Sequence, residues 1–326
     1  MLRLPLYVTC AVVSLFSAVC AVSLNAQSAG PSITPRPDPR QISTPAPVLH
    51  ADSSLVLIPA HVTRPNGAPV TGLQKENFRI IENDVEQRIT HFTQDDAPVS
   101  VSLLLDVSGS MRPRMTKAVE AAVAFFRTSN TQDEFSLIEF SDGAKLCIPF
   151  TRDVDEVTAR IGRTHPFGQT ALLDAVHLGL RSMKSAHNDR KALVILSDGG
   201  DNHSRHSATE IKYELYESDV QVFAMGVFDA ALGEDSPEEE RNGPQLLDQL
   251  AEQSGGRHYR IRNISDLPAI SAKIGSELRN EYLLGYYPEQ MQRDGRYHAI
   301  TLQLQGLEPA LDLRTSYRRG YHAPAE

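Results

Sequence analysis

Several common protein classes are ruled out by what this chain has little of. It holds three cysteines in 326 residues, and Cys10 and Cys20 both lie in an apolar leading segment. A processed chain would keep Cys147 alone, so no internal disulfide could form and stability would rest on core burial, which this length can supply. In the run Ala144-Lys145-Leu146-Cys147-Ile148-Pro149-Phe150 that thiol reads as a small apolar filler. Positive charge is also short: Lys and Arg number 32 against 41 Asp and Glu, for a formal charge of −9. The basic residues form no face or stripe, which argues against binding to a phosphate backbone and so against nucleic acid. No Gly-rich phosphate loop of the Walker type is present, which excludes the ATPase partner of a chelatase. No repeat with a period of tens of residues marks a solenoid or propeller.

What is present begins with a leader. Met1 to Ala26 carries one Arg, an apolar run through Val22 and then small residues, the layout of a secretory signal. The run is near the lower limit of a membrane span, but the polar, Pro-rich tract that follows at once favours cleavage, leaving no membrane span in the mature chain. A lipoprotein reading through Cys20 is weakened by the bulky Val19 before it. Residues 27–48 are dominated by Pro, Ser, Thr and Ala and predict an extended linker.

Three folded stretches follow. Residues 49–97 alternate as short strands with turns at Arg64-Pro65-Asn66-Gly67 and Asn83-Asp84, and Gln87 to Phe92 reads as one strand. Residues 98–281 alternate apolar strands with amphipathic helices. This predicts an α/β unit with a doubly wound, mostly parallel sheet covered on both faces. Residues 282–326 return to strands, with clear alternation in Tyr297–Leu304. About 45 residues of strand make a thin core, so the two β segments are expected to pair into one small β-sandwich around the inserted α/β unit.

The chemistry gathers at one edge of that sheet. Asp106-Val107-Ser108-Gly109-Ser110-Met111 follows the apolar strand Val99–Leu105. Thr170, in Gly168-Gln169-Thr170-Ala171-Leu172, sits where a loop enters a helix. Asp198, in Leu196-Ser197-Asp198-Gly199, follows a second buried strand. In such sheets ligands bind beyond the carboxyl ends of the strands, near the reversal of strand order. Asp106, Ser108, Ser110, Thr170 and Asp198 together are five hard oxygen donors without nitrogen or sulfur. They suit Mg²⁺, with Mn²⁺ or Ca²⁺ as substitutes, and not zinc. Direct ligands that are mostly neutral hydroxyls leave such an ion electron-poor, so an incoming carboxylate is the partner this chemistry favours.

At these residues the sequence resembles the von Willebrand factor A family, whose metal-ion-dependent adhesion site reads Asp-x-Ser-x-Ser, then Thr, then Asp. The likeness covers residues 98–281. It implies that Ser108, Ser110 and Thr170 are hydroxyl ligands while Asp106 and Asp198 act directly or through water. The flanks, with Phe78–Gln87 before and Tyr282–Pro288 and Asp294–His298 after, look like the exported bacterial group labelled von Willebrand factor A-related. Arg112-Pro113-Arg114 departs from the acidic residues that integrin β chains place there for a second ion, which puts a second metal in doubt.

Competing readings carry less. A phosphotransferase would want a second Asp where Ser108 stands. A purely structural loop, with Asp106 and Asp198 capping helices and no metal, is the bland alternative. Asp201–His206, with two imidazoles, reads as a solvated loop, Glu234–Glu240 as an exposed acidic loop, and Asp174 and His177 as polar residues that face solvent or cap beside an apolar helix stripe. The expectation is an exported, periplasmic or extracellular binding module and not an enzyme. It would recognise a protein or peptide through an exposed Asp or Glu. A structural envelope scaffold and a metal-assisted hydrolase are the alternatives.

Overall fold

The computed structural model describes residues 55–94, 97–127, 129–228, 238–288, 294–308 and 311–323. The leader, the linker and the first half of the acidic stretch at 234–240 lie outside the described residues. In chain order the strands and helices are β1 (Val56–Thr63), β2 (Phe78–Glu82), β3 (Val85–Gln87), β4 (Ile89–Thr93), β5 (Val99–Asp106), α1 (Met115–Arg127), β6 (Glu134–Phe140), β7 (Ala144–Thr151), α2 (Val154–Ile161), α3 (Leu172–Ser182), β8 (Arg190–Ser197), α4 (Ala208–Glu217), β9 (Val220–Val227), α5 (Glu238–Ser254), β10 (Arg257–Ile261), α6 (Leu267–Arg279), β11 (Tyr282–Tyr286), β12 (Tyr297–Leu304), β13 (Arg314–Tyr317) and β14 (Gly320–His322).

The α/β reading holds. Six strands form one sheet in the order β10-β9-β8-β5-β6-β7, all parallel except β7, which folds back antiparallel on β6. The short connection Ser141–Gly143 explains that exception, because a parallel return needs a crossover of about a dozen residues. β5 lies at the centre and every one of its residues is buried. Its alternation decides which face each side chain meets. Val99, Val101, Leu103 and Leu105 join the core on one face, which includes residues of α1, α2 and α6. Leu104 joins the opposite core with residues of α3, α4 and α5. On that second face Ser100 and Ser102 are buried polar residues, satisfied across the sheet by Glu134 Oε1 at 2.6 Å and Ser136 Oγ at 2.8 Å.

The flanking strands form two four-stranded sheets, β13-β1-β11-β4 and β14-β12-β2-β3, whose pairings are antiparallel. Each sheet therefore mixes strands from before and after the α/β unit. Ile58, Ala60, Val62, Phe78, Ile80, Tyr282, Leu284, Ile300 and Leu302 share one buried core, and the Phe78 and Tyr282 ring centroids are 5.0 Å apart. Asn83 and Asp84 both take positive φ, 46° and 66°, the left-handed pair that a tight β2–β3 hairpin demands. The single strand expected at Gln87–Phe92 is instead two. β3 pairs with β2 and β4 pairs with β11 in the other sheet, so the chain turns a corner at Arg88.

Polar contacts join the sandwich to the α/β unit. Arg257 of β10 donates through Nη2 to Thr63 Oγ1 at 3.1 Å and Ser316 Oγ at 3.0 Å. His61 of β1 is 1% exposed, with Nδ1 3.1 Å from the carbonyl of Glu277 and Nε2 3.0 Å from the Gln221 amide. Burial, the largest influence on the ring, lowers its pKa from 6.5 to about 4, so the imidazole is neutral at pH 7. Nδ1–H donates to the carbonyl, which leaves Nε2 as an acceptor for the Gln221 NH₂ once that amide is turned toward it.

A pH dependence follows. Between pH 6.5 and about 4 the unfolded chain protonates His61 and the folded chain does not, so stability falls as pH drops through that window and levels off below it. The loss is about 3 kcal/mol for this ring. Urea denaturation of the wild type and of His61→Gln should show that part of the acid slope missing from the variant. An unchanged slope would mean that His61 is not held neutral.

Candidate metal centre

Strand order reverses between β5 and β8, so the crevice of the sheet opens where these two strands end. Their parallel register aligns Leu105 with Leu196, and one step further brings Asp106 beside Ser197. The Ser197 hydroxyl donates to Asp106 Oδ2 at 2.5 Å, and the Ser108 amide donates to Oδ1 at 2.9 Å. Asp106 is thus fixed at both oxygens, and its own loop is turned around it.

The three candidate segments are tied to each other by backbone bonds. The Gly109 amide donates to the Gly168 carbonyl at 3.0 Å and the Phe167 amide to the Val107 carbonyl at 2.8 Å, which joins the loop of Ser108 and Ser110 to the loop of Thr170. Thr170 is held in turn by Asn202. Its amide donates to Asn202 Oδ1 at 2.9 Å, and its carbonyl accepts from the amides of Asn202 and His203 at 3.0 Å each. These bonds bring the loop after Asp198 to Thr170. Gly199, at φ +82°, makes the turn past Asp198 possible, because a Cβ there would lie 2.7 Å from the Gly243 carbonyl oxygen.

Asp106, Ser108, Thr170 and Asp198 are buried, at 0%, 1%, 5% and 8% exposure, while Ser110 is exposed. The group is therefore a recess with one open lip. Burial first, and the negative charge of Asp198 second, push the Asp106 carboxyl well above the usual carboxylate range. Hydrogen bonds from Ser108 and Ser197 offset only part of this. A buried carboxylate held beside a second one in a dry recess is an arrangement that a cation would relieve. The hydroxyls suit a small one. Ser108 Oγ and Ser110 Oγ are 3.0 Å apart, and neighbouring ligands of an octahedral ion with bonds of about 2.1 Å are separated by about 3 Å. Among the described residues no three His, Cys, Asp or Glu side chains form a metal cluster. The donors here are two carboxylates supplemented by hydroxyls, the set that a hard cation takes.

Other residues of the site escaped the sequence reading. Ser197 and Asn202 hold the candidates in place, and Asp142 fixes the Thr170 loop by accepting from the Gln169 amide at 2.7 Å. Arg114 points into the recess: Nη1 donates to the Ser110 carbonyl at 3.0 Å and lies 3.6 Å from Asp198 Oδ2. The segment Asp201–His206, expected to be a solvated loop, is anchored on α3. Asp174 is 5% exposed and accepts from the amides of Arg205 and His206 at 3.0 and 3.1 Å and from His206 Nδ1 at 2.7 Å. His206 also stacks on His177 with centroids 4.0 Å apart, so its ring is engaged away from His203. Cys147 is half-buried, and burial together with nearby Glu139 raises its thiol pKa, the wrong direction for a nucleophile.

The Asn202 clamp can be tested without any metal. Asn202→Ala removes the acceptor from the Thr170 amide at a cost of about 1 kcal/mol, and that amide should exchange with deuterium about fivefold faster while β5 is unaffected. An unchanged exchange rate at Thr170 would show that the clamp does not hold the loop.

The same segment is matched in a comparison with known protein families. Residues 101–200, which hold all five candidates, match the family model described as von Willebrand factor type A domain. No curated protein matches the chain. Similar solved structures include a von Willebrand factor type A protein from Catenulispora acidiphila, at 15% identity and TM-score 0.47, covering 84% of this chain and 74% of that one. Another is an aerotolerance-related membrane protein from Bacteroides fragilis, at 22% identity and TM-score 0.47, covering 55% of this chain and 98% of that one. A third is the domain of the type V pilus tip protein Mfa5 from Porphyromonas gingivalis, at 12% identity and TM-score 0.46, covering 55% and 94%. Within the α/β unit, the segment 101–200 is thus similar to von Willebrand factor type A domains.

Proposed function

We propose that this chain is an exported binding module whose recess holds a divalent cation, Mg²⁺ first and Mn²⁺ or Ca²⁺ as substitutes, and that it recognises a protein or peptide through an exposed Asp or Glu. Ser108, Ser110 and Thr170 would hold the ion through their hydroxyls, with Asp106 and Asp198 as the charged members of the set. When bound, such an ion supplies a positive centre at the lip of the recess, open to a carboxylate from outside. The observation that carries this reading is the pair of serine hydroxyls at octahedral-edge spacing beside two buried carboxylates, Asp106 and Asp198. Binding, not catalysis, is the role proposed. The chain's own residues fix the ligands: Ser197 orients Asp106, Asn202 sets Thr170, and the Gly109–Gly168 bond holds the two hydroxyl loops together. Export rests on the leader-like sequence from Met1 to Ala26. Among the described residues no helix is long and apolar enough to cross a membrane.

Asp106→Asn is the variant of choice, since it keeps the shape of the side chain and removes a charge that burial disfavours. Its metal-free form should be at least as stable as the wild type. Isothermal titration with Mg²⁺ should show binding to the wild type and a loss of at least about 100-fold in the variant, more than outer residues of a metal site usually cost. Capture of protein from an envelope extract should follow the same pattern and be abolished by chelator. A flat wild-type titration, or equal affinity in Asp106→Asn, sinks the proposal.

A further inference from the structure

The recess already contains a positive charge. Arg114 closes the 3₁₀ turn Gly109–Arg114, which contains Pro113 and buries Met111 before α1 begins. One guanidinium nitrogen serves both sides of the site. Nη1 makes a hydrogen bond of 3.0 Å to the Ser110 carbonyl and an ion pair of 3.6 Å to Asp198 Oδ2. The two contacts differ in kind. The first has the length of an ordinary hydrogen bond, whereas the second is too long for one and acts by charge alone. The side chains of this pair are only 13% and 10% exposed, so solvent screens them much less than a surface pair.

We infer that Arg114 is a resident cation that competes with a divalent ion for Asp198, lowering the metal affinity of the site while strengthening its attraction for an anionic partner. This rests on the metal-dependent reading above and assigns a residue that tunes it. Without an ion, the guanidinium partly neutralises the charge of Asp198, which helps the recess fold without metal. When an ion arrives its charge is repelled by the guanidinium and it must share Asp198 with it, so binding is weaker than the five donors alone would give. The hydrogen bond to Ser110 does not depend on Asp198. It keeps the guanidinium beside the exposed Ser110, where its positive charge reaches a carboxylate approaching from solvent. One residue thus moves two affinities in opposite directions. A residue that merely braced the loop would weaken both when removed.

The test uses the full chain and Arg114→Gln. Mg²⁺ titration should show about tenfold tighter binding in the variant, the scale that one partly screened charge a few ångströms away can exert on a divalent ion. With Mn²⁺ loaded, ¹³C relaxation of acetate reports on a small carboxylate near the ion, and acetate affinity should fall severalfold. Arg114→Met, which keeps the apolar stem, should move both affinities in the same directions and decides the matter if Arg114→Gln does not fold. Arg114→Lys, which keeps the charge, should stay near the wild type in Mg²⁺ affinity. Equal or weaker Mg²⁺ binding in the neutral variants overturns the inference, as does acetate binding that is undiminished. If the wild type binds no Mg²⁺, the metal-dependent reading and this inference fall together, whereas wild-type binding that Asp106→Asn abolishes and Arg114→Gln leaves unchanged removes only the inference.

Discussion

Two carboxylates at the ends of neighbouring central strands are the constraint around which this structure is arranged. Asp106 closes β5 and Asp198 follows β8, and both are nearly removed from water. Like charges in such surroundings oppose folding, because neither is fully solvated and Asp198 adds to the cost of ionising Asp106. The local structure around them is a set of partial remedies. An amide and a hydroxyl occupy the oxygens of Asp106, a guanidinium stands near Asp198, and a glycine lets the chain turn past it. None of these cancels the strain, as the raised Asp106 pKa shows. Sites that break the rules of good local packing are where function is usually found, and the rest of the sheet, with β5 buried along its whole length, provides the stability that tolerates this one.

Much of the architecture was legible because it rests on periodicity. Val99, Val101, Leu103 and Leu105 alternate with residues of the other face, and the structure divides them between two cores accordingly. Tyr297–Leu304 alternates exposed and buried residues along nearly its whole length, as its sequence predicts. What periodicity could not reveal was the choice of neighbour. Gln87 to Phe92 has the composition of one strand, and nothing in those residues says that the first pairs with β2 while the rest pair with β11. The second pairing depends on a strand that lies far along the chain, beyond the whole α/β unit. α5 begins at Glu238 and carries Pro244 as its seventh residue, past the four opening amides that have no helical partner, so the proline costs one helical hydrogen bond there.

The site divides along the same line. Its five candidate donors were visible because each lies in a short motif at the end of a strand or the start of a helix. Ser197, Asn202 and Arg114 were not, because their roles depend on register and loop path. Ser197 could have been found: in a parallel pair of β5 and β8 it lies beside Asp106 once Leu105 is set against Leu196. Asn202 had no such signal, since its partner is a backbone amide 32 residues earlier. Arg114 was noticed only as a basic residue in an unusual place, and its distance from Asp198 gives that observation a physical meaning.

The charge balance of the recess links these residues to its proposed use. A divalent ion beside two ionised carboxylates would form a centre that is formally neutral, with little attraction for another anion beyond an open coordination position. Neutral hydroxyls at Ser108, Ser110 and Thr170 add no further negative charge, which distinguishes this set from a cage of carboxylates that would hold the ion tightly and repel an acidic partner. The guanidinium of Arg114 then tips the balance and leaves the loaded centre one charge positive at its lip. Under the proposed metal-dependent reading, a weaker hold on the ion and a stronger pull on a carboxylate would come from the same side chain. A site built to capture acidic partners reversibly gains from both, because a partner that supplies its own carboxylate also stabilises the ion, and metal and partner then bind with positive coupling.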